Sequence, residues 1–399
     1  MNRFLKIILI IIGAILLLGV GLFVTKGDDI KRLSAVTTMF DADKIVDNFS
    51  NMDRGFLIHP LNVLIADDLV VETVAIPETV DIAGAERPLA DVLEELDTTS
   101  LVILRDGKII HESYYLGTGP DDRRISWSVA KSFMSGLYGN ALADGDIASL
   151  DDEVTTYVPE LIGTAYEGAT LRNILNMSSG IRYNEDYLDQ ASDINKMGQT
   201  IALGGSLDDY TTGLKERQFE PGSDWQYVSM DTHVAAWALR KATGRSIHDL
   251  WEETYSPLGF RQQPYYLVDG EDAAFALGGL NLTTRDYAKF GQLFLQMGEW
   301  NGEQLIPADW VAQSTVHSAP AMSDRGVGYG YQWWVPMPAD QDYFAVGIYG
   351  QYIYIDPKTN IVIAKNAADR EFMFADEVGT HSMNKNIALM RSLAAQLAE

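Results

Sequence analysis

Ser128 and Lys131 stand three apart in the stretch "SWSVAKS", residues 126–132, and residues at that spacing share one face of a helix. A hydroxyl beside an amine able to take its proton is a nucleophile ready to accept an acyl group. In the first turn of a helix, unpaired N–H groups and the positive end of the dipole would also be at hand for a developing oxyanion. The motif alone is short, since Ser382-Met383-Asn384-Lys385 repeats it without supporting context.

Such a centre needs a second proton carrier, and tyrosine is a suitable one. Two short motifs offer it: Tyr138-Gly139-Asn140 and Tyr227-Val228-Ser229. Tyr138 lies ten residues down the helix from Ser128, about 15 Å along the axis, beyond the reach of its side chain. It reads as a packing residue. Tyr227 follows a Pro221-Gly222 turn and precedes a helix expected from near Asp231, so it sits on a loop able to fold back over the site.

Other chemistries are disfavoured. The 30 Lys and Arg against 56 Asp and Glu give a formal charge of −26, which repels phosphate backbones and argues against a nucleic-acid partner. With no cysteine, thiol catalysis, disulfides and Cys-ligated zinc are excluded. The six histidines (His59, His111, His233, His248, His317, His381) show no HExxH or HxH spacing, so neither a metal nor another cofactor is expected. Gly204-Gly205-Ser206-Leu207-Asp208 fails the G-x-S-x-G elbow at its last position and disfavours an α/β-hydrolase triad.

Arg3 and Lys6 precede an uncharged apolar and glycine run from Ile7 to Val24. As a helix it would span about 27 Å, close to the roughly 30 Å hydrocarbon core. Residues 1–26 are therefore expected to form a transmembrane anchor, or else a signal segment cleaved near Gly19-Val20-Gly21. Two positive charges before the run favour an inside N-terminus. Either reading puts the remaining chain outside the cytoplasm, on the periplasmic side, or secreted after cleavage. Residues 27–85 carry short apolar runs and read as a connecting segment.

Residues 86–399 read as one catalytic domain of α+β class. A helix in "RPLADVLEEL" precedes two β-rich runs joined by Arg105-Asp106-Gly107-Lys108, a hairpin signal. Phe133, Leu137 and Ala141 recur at helical spacing, and the helix should stop at Gly145-Asp146. Further helices are expected in "TLRNILNMSSG", "DTHVAAWALRKATG" and "TTRDYAKFGQLFLQMG", and the last about Met383 to Leu397. Strand composition returns in "GYGYQWWV", "YFAVGIYGQYIYI" and "NIVIAKNAA", with a turn at Asp356 to Asn360. The expected architecture is an antiparallel sheet from about 86–125 and 325–399, flanked by terminal helices, beside an all-helical lobe over about 126–324.

"SWSVAKSF", "TLRNILNMSSGI", "PGSDWQYVS", "GYGYQWW" and "GIYGQYIYIDP", in that order over roughly residues 88–399, resemble the serine β-lactamase and penicillin-binding-protein-like hydrolases. The nearest likeness is to the branch of 6-aminohexanoate-dimer hydrolases and carboxylesterases. The resemblance implies a β-lactamase/transpeptidase-like fold and cleavage of a small-molecule ester or amide. It implies Ser128 as acylated nucleophile, Lys131 as the neighbour that takes or shares its proton, and Tyr227 as general base. The backbone N–H groups of Ser128 and Ile348 would form the oxyanion hole. Gly347, Ser229 and Tyr187 would meet the substrate, Ser229 standing where relatives often have Asn.

Two departures bear on specificity. Relatives carry Lys-Thr-Gly or His-Thr-Gly on the pocket strand, whereas this chain has Ala345-Val346-Gly347, without a cation for a β-lactam carboxylate. Lys358-Thr359-Asn360 is only a turn. Leu277 precedes Gly278-Gly279 where amide-cleaving relatives tend to place Asn, which tilts the expectation toward esters. Tyr183 and Tyr187 fall in a segment that lies over the pocket in the dimer hydrolases. Trp333 and Trp334 read as core and pocket wall. The alternatives are a peptidoglycan-related peptidase or β-lactamase, and a membrane-held sensor that is acylated without turnover.

Overall fold

The computed structural model describes residue 32 and residues 35–320, 326–373 and 381–398. Its centre is a seven-stranded antiparallel sheet in the order Val327–Gly330, Trp333–Pro336, Tyr343–Gly347, Gln351–Asp356, Ile361–Ala367, Thr98–Arg105, Lys108–Tyr114. The two chain regions meet where Ile361–Ala367 pairs with Thr98–Arg105. The predicted hairpin forms, with Asp106 and Gly107 both at positive φ (51° and 75°), as a two-residue turn between twisted strands requires.

Side-chain alternation along Thr98–Arg105 divides the core. Leu101 and Ile103 pack with Leu389, Met390 and Leu393 of the His381–Leu397 helix and with Val92 and Leu93 of the Leu89–Glu95 helix. Val102 and Leu104 belong to the cluster on the other face, which includes Phe290 and Phe294 of the Thr284–Leu295 helix. That helix lies close to the sheet because Gly291 has no side chain. A Cβ there would come within 2.5 Å of Val362 and 2.7 Å of Ile353.

The helices expected around Ser128 and after Tyr227 are Ala130–Asp144 and Ser229–Thr243, ended by Gly145 and Gly244 in the left-handed conformation. Phe133, Leu137 and Ala141 are buried.

The span read as all-helical is not. Tyr265–Val268 and Leu280–Leu282 pair with each other and, at the two edges, with Leu57–Pro60 and Arg124–Ile125, making a four-stranded antiparallel sheet. Strands of two to four residues carry too few positions for a period-two pattern to stand out. Within the segment read as a connector, Leu57–Pro60 supplies an edge strand and Phe49, Met52 and Leu61 enter the main core.

The expected localisation, a catalytic domain held at the membrane by an N-terminal helix, is corrected. Crossing a bilayer takes about 20 consecutive, mostly apolar helical residues. Among the described residues no helix is long and apolar enough; His381–Leu397 has 17 residues and includes Asn384, Lys385 and Arg391. The apolar run of residues 7–24 lies outside the described residues.

Candidate active site

The strand Arg124–Ile125 leads into a single 3₁₀ turn, Trp127–Val129, and then directly into the Ala130–Asp144 helix. Trp127 has φ 42°, a left-handed conformation that a bulky residue adopts only where its surroundings hold it. Here the rings of Phe49, Phe40 and Tyr349 stand 5.6, 6.1 and 6.3 Å from the indole. The turn leaves Ser128 at the head of the helix, 9% exposed.

Lys131 lies one turn further on and is 1% exposed. Its Nζ is 2.8 Å from Ser128 Oγ, 2.8 Å from the carbonyl oxygen of Leu277 and 3.2 Å from Ser229 Oγ. Loss of hydration pulls its pKa down to about 7, against the opposing pull of the Glu185 and Asp231 carboxylates.

Tyr227 arrives from the loop before the Ser229–Thr243 helix. Its ring centroid is 5.2 Å from Lys131 Nζ, and the ring stacks on Trp334 at 5.5 Å and 28°. The residue is partly exposed, yet desolvation pushes the phenol well above the usual tyrosine range. The hydrogen-bonding influence of Ser128 works against that rise, and the charge of Glu185 adds to it. The structure thus brings Ser128, Lys131 and Tyr227 together from two separated segments.

Gly347 ends the strand Tyr343–Gly347 against the same turn. A Cβ on it would stand 2.4 Å from the Ser126 oxygen and 3.1 Å from the Ser128 nitrogen. Ile348, the next residue, therefore begins its turn beside the Ser128 backbone.

Ser229 and Tyr187 converge on a residue that sequence reading passed over. The Ser229 hydroxyl donates to Glu185 Oε1, the Ser229 N–H donates to Oε2 at 3.1 Å, and the Tyr187 hydroxyl donates to Oε1 at 2.9 Å. Burial raises the Glu185 pKa, while Lys131, Ser229 and Tyr187 favour its charged form. Glu185 is one of 56 acidic residues, in an acidic loop without periodicity. No local signal marks it. At Leu277 the sequence departs in its side chain, but it is the backbone oxygen that meets Lys131.

The remaining candidates are engaged elsewhere. Tyr138 is buried and donates to the Ala235 oxygen at 2.9 Å. In the second S-x-x-K, Ser382 donates to Asp369 Oδ2 at 2.6 Å and Lys385 pairs with Glu95. Lys358 pairs with Asp340 at 2.5 Å on the surface. Trp333 is core, stacked on Phe290, whereas Trp334 is the wall behind Tyr227. Among the described residues, His59, His248 and Asp272 have possible ligand atoms within 4.8 Å of one another. The two imidazoles stack face to face at 3.8 Å and 3°, so their in-plane lone pairs run side by side instead of converging as a tetrahedral ion would need. That cluster shares no element with Ser128, Lys131 or Tyr227.

The Beta-lactamase family model matches residues 89–381. The 6-aminohexanoate-dimer hydrolase of Paenarthrobacter ureafaciens is 32% identical over 287 residues, 68% of this chain and 73% of that protein. A solved structure from Bacillus anthracis, provisionally assigned as a 6-aminohexanoate-dimer hydrolase, has a TM-score of 0.78 over 90% of this chain and 96% of its own, at 24% identity. A family VIII carboxylesterase has a TM-score of 0.54 over 79% of this chain and 100% of its own, at 16% identity. These two structural likenesses bear on the fold alone. The family match runs from the helix before the first long strand into the last helix, and with the Paenarthrobacter relative it shows that this chain belongs to the Beta-lactamase family, as a serine hydrolase.

Proposed function

We propose that the chain hydrolyses small-molecule esters or amides through an acyl-Ser128 intermediate, with residues 86–399 carrying the catalytic groups and the segment before them completing the core and one sheet edge. The observation that carries this reading is the 2.8 Å contact between Ser128 Oγ and an amine whose pKa is pulled down to about 7. An amine with that proton affinity is neutral in a useful fraction at neutral pH and can act as a base.

In the acylation step, Lys131 takes the Ser128 proton as Oγ attacks the substrate carbonyl. The tetrahedral oxyanion is received by the N–H groups of Ser128 and Ile348, and loss of one such donor costs roughly 10²- to 10³-fold in rate. Tyr227 gives its proton to the departing oxygen or nitrogen and regains one from Lys131. The resemblance alone would make Tyr227 the general base. Because burial raises the phenol and lowers the amine, we assign the resting proton to Tyr227 and the vacancy to Lys131. Water then repeats the sequence in reverse and frees Ser128.

Gly347 leaves room for the carbonyl, and Tyr187 and Ser229 hold the far side of the site. Esters are favoured over amides because amide-cleaving relatives tend to carry Asn where this chain has Leu277. The names of the relatives include both a dimer hydrolase and a carboxylesterase. The lack of a cation in Ala345-Val346-Gly347 weighs against a β-lactam or peptidoglycan substrate. The acidic surface weighs against nucleic acid.

The test is turnover of short-chain p-nitrophenyl esters by the full chain and by Ser128→Ala, Lys131→Ala and Tyr227→Phe. Steady release is expected to be lost in Ser128→Ala and Lys131→Ala and lowered in Tyr227→Phe, where the acyl-enzyme still forms but the deacylating water has lost its proton acceptor. A stable mass adduct without turnover would mean an acyl sensor instead, and full activity in Ser128→Ala would remove the mechanism.

A further inference from the structure

The hydrogen-bond chain that ends on Lys131 begins on Glu185, and the donors along it fix its direction. Glu185 accepts three bonds, from the hydroxyls of Ser229 and Tyr187 and from the Ser229 N–H. A site furnished only with donors suits an acceptor-only carboxylate. Having given its single proton to Glu185, Ser229 Oγ can meet Lys131 Nζ, 3.2 Å away, only with a lone pair. Lys131 thus directs one N–H at Ser229 and another at the Leu277 carbonyl, 2.8 Å away. A neutral amine has no third N–H. Its lone pair is left for its remaining neighbour, the Ser128 hydroxyl at 2.8 Å.

We propose that Glu185 is a positioning residue for acylation: by taking the Ser229 proton it sets the polarity of the Lys131, Ser229, Glu185 chain and turns the Lys131 lone pair onto Ser128. This rests on the reading of Lys131 as the base. The ionisable groups facing Glu185 are Lys131, on the Ala130–Asp144 helix, and Asp231, on the Ser229–Thr243 helix, whose carboxyl burial pushes up to about 8. The phenols of Tyr166, Tyr183, Tyr187, Tyr210 and Tyr227 surround them. Burial pushes all five phenols up, so they stay neutral across the working range. The Glu185 charge also raises the proton affinity of Lys131. A glutamine at 185 would remove that charge. Its NH₂ could donate to Ser229, which would then be free to donate to Lys131 and occupy the lone pair meant for Ser128.

The experiment is kcat/KM against pH for the full chain with a p-nitrophenyl ester, in the wild type, Glu185→Gln, Glu185→Asp, Ser229→Ala and Ser128→Ala. In Glu185→Gln the plateau should fall about 10-fold or more, and the acid limb should move down by about one pH unit as the amine loses its carboxylate. Glu185→Asp keeps the charge, so its limb should stay near the wild-type position while its plateau falls. A residue that only braced the loop would lower both plateaus and move neither limb. A Glu185→Gln limb at the wild-type position, or a Ser229→Ala plateau equal to the wild type, overturns the proposal. If circular dichroism shows Glu185→Gln unfolded, the Ser229→Ala plateau decides alone. Turnover surviving in Ser128→Ala would instead sink the hydrolase reading itself, whereas an inactive Ser128→Ala with an unmoved Glu185→Gln limb removes only the role of Glu185.

Discussion

Gly347 and Ser128 meet backbone to backbone: a single methyl group on Gly347 would stand 3.1 Å from the Ser128 nitrogen and 2.4 Å from the Ser126 oxygen. A separation of 2.4 Å from a main-chain oxygen leaves no room for a Cβ without moving the strand end or the nucleophile's turn. Gly347→Ala is therefore expected to lower kcat/KM by about 10²-fold, the scale of one lost oxyanion donor. The melting temperature should fall as well, because the atom met is a main-chain oxygen that cannot swing aside. Steady-state kinetics with thermal melts checks this. Wild-type activity in Gly347→Ala would mean that the strand end is not the second half of the oxyanion hole.

The acid limb of the rate profile follows from Lys131. The amine must be unprotonated to act as base, and its pKa is held at about 7, so kcat/KM should rise with pH through that value and level off above it. Tyr227 must keep its proton, and its phenol is pushed up from the ordinary tyrosine value. No fall on the basic side should therefore come before about pH 10. A bell centred below neutrality would assign the base to a carboxylate instead.

The two halves of this site differ in how plainly the sequence carries them. Ser128 and Lys131 share one helical turn, so their spacing announces a geometry that any helix enforces, and Tyr227 is marked by its place between a Pro-Gly turn and a helix. The helix stops at Gly145 and Gly244 and the Asp106-Gly107 hairpin are equally local, set by where backbone φ turns positive. Glu185 is different, because what marks it is its pair of bonds from Ser229, 44 positions away, which no period encodes. The Leu277 carbonyl is invisible for another reason, since every residue has one. The strands Tyr265–Val268 and Leu280–Leu282 belong to a sheet whose edges come from residues 57–60 and 124–125, so their strand character is a property of the assembled molecule.

Burying Lys131 should carry a stability cost that depends on pH. In the unfolded chain the amine titrates at 10.5 and in the folded one at about 7, so between those values the unfolded state binds the extra proton. The penalty is full below pH 7 and fades as pH rises toward 10.5. Lys131→Met should remove it, stabilising the fold at pH 7 by about 2 kcal/mol after allowance for the lost hydrogen bonds. The melting temperature should rise by a few degrees while turnover disappears. The gain should shrink between pH 7 and 10, and a gain that grew with pH would contradict the depressed amine.

Trp334 supports Tyr227 rather than the nucleophile, and that distinction can be read in the leaving group. The indole stacks on the phenol ring at 5.5 Å and lies on the strand neighbouring Tyr343–Gly347. Its loss should loosen the proton donor while leaving Ser128 and Lys131 in contact. A p-nitrophenolate departs readily without a proton, whereas an alkoxide needs one as it leaves, and a positioned acid contributes on the order of 10²- to 10⁴-fold to such a step. Trp334→Ala should therefore lower kcat/KM for simple alkyl esters about 10-fold more than for p-nitrophenyl esters of the same acyl group. Equal losses on the two series would mean that Trp334 shapes the acyl pocket and that Tyr227 holds its place without it.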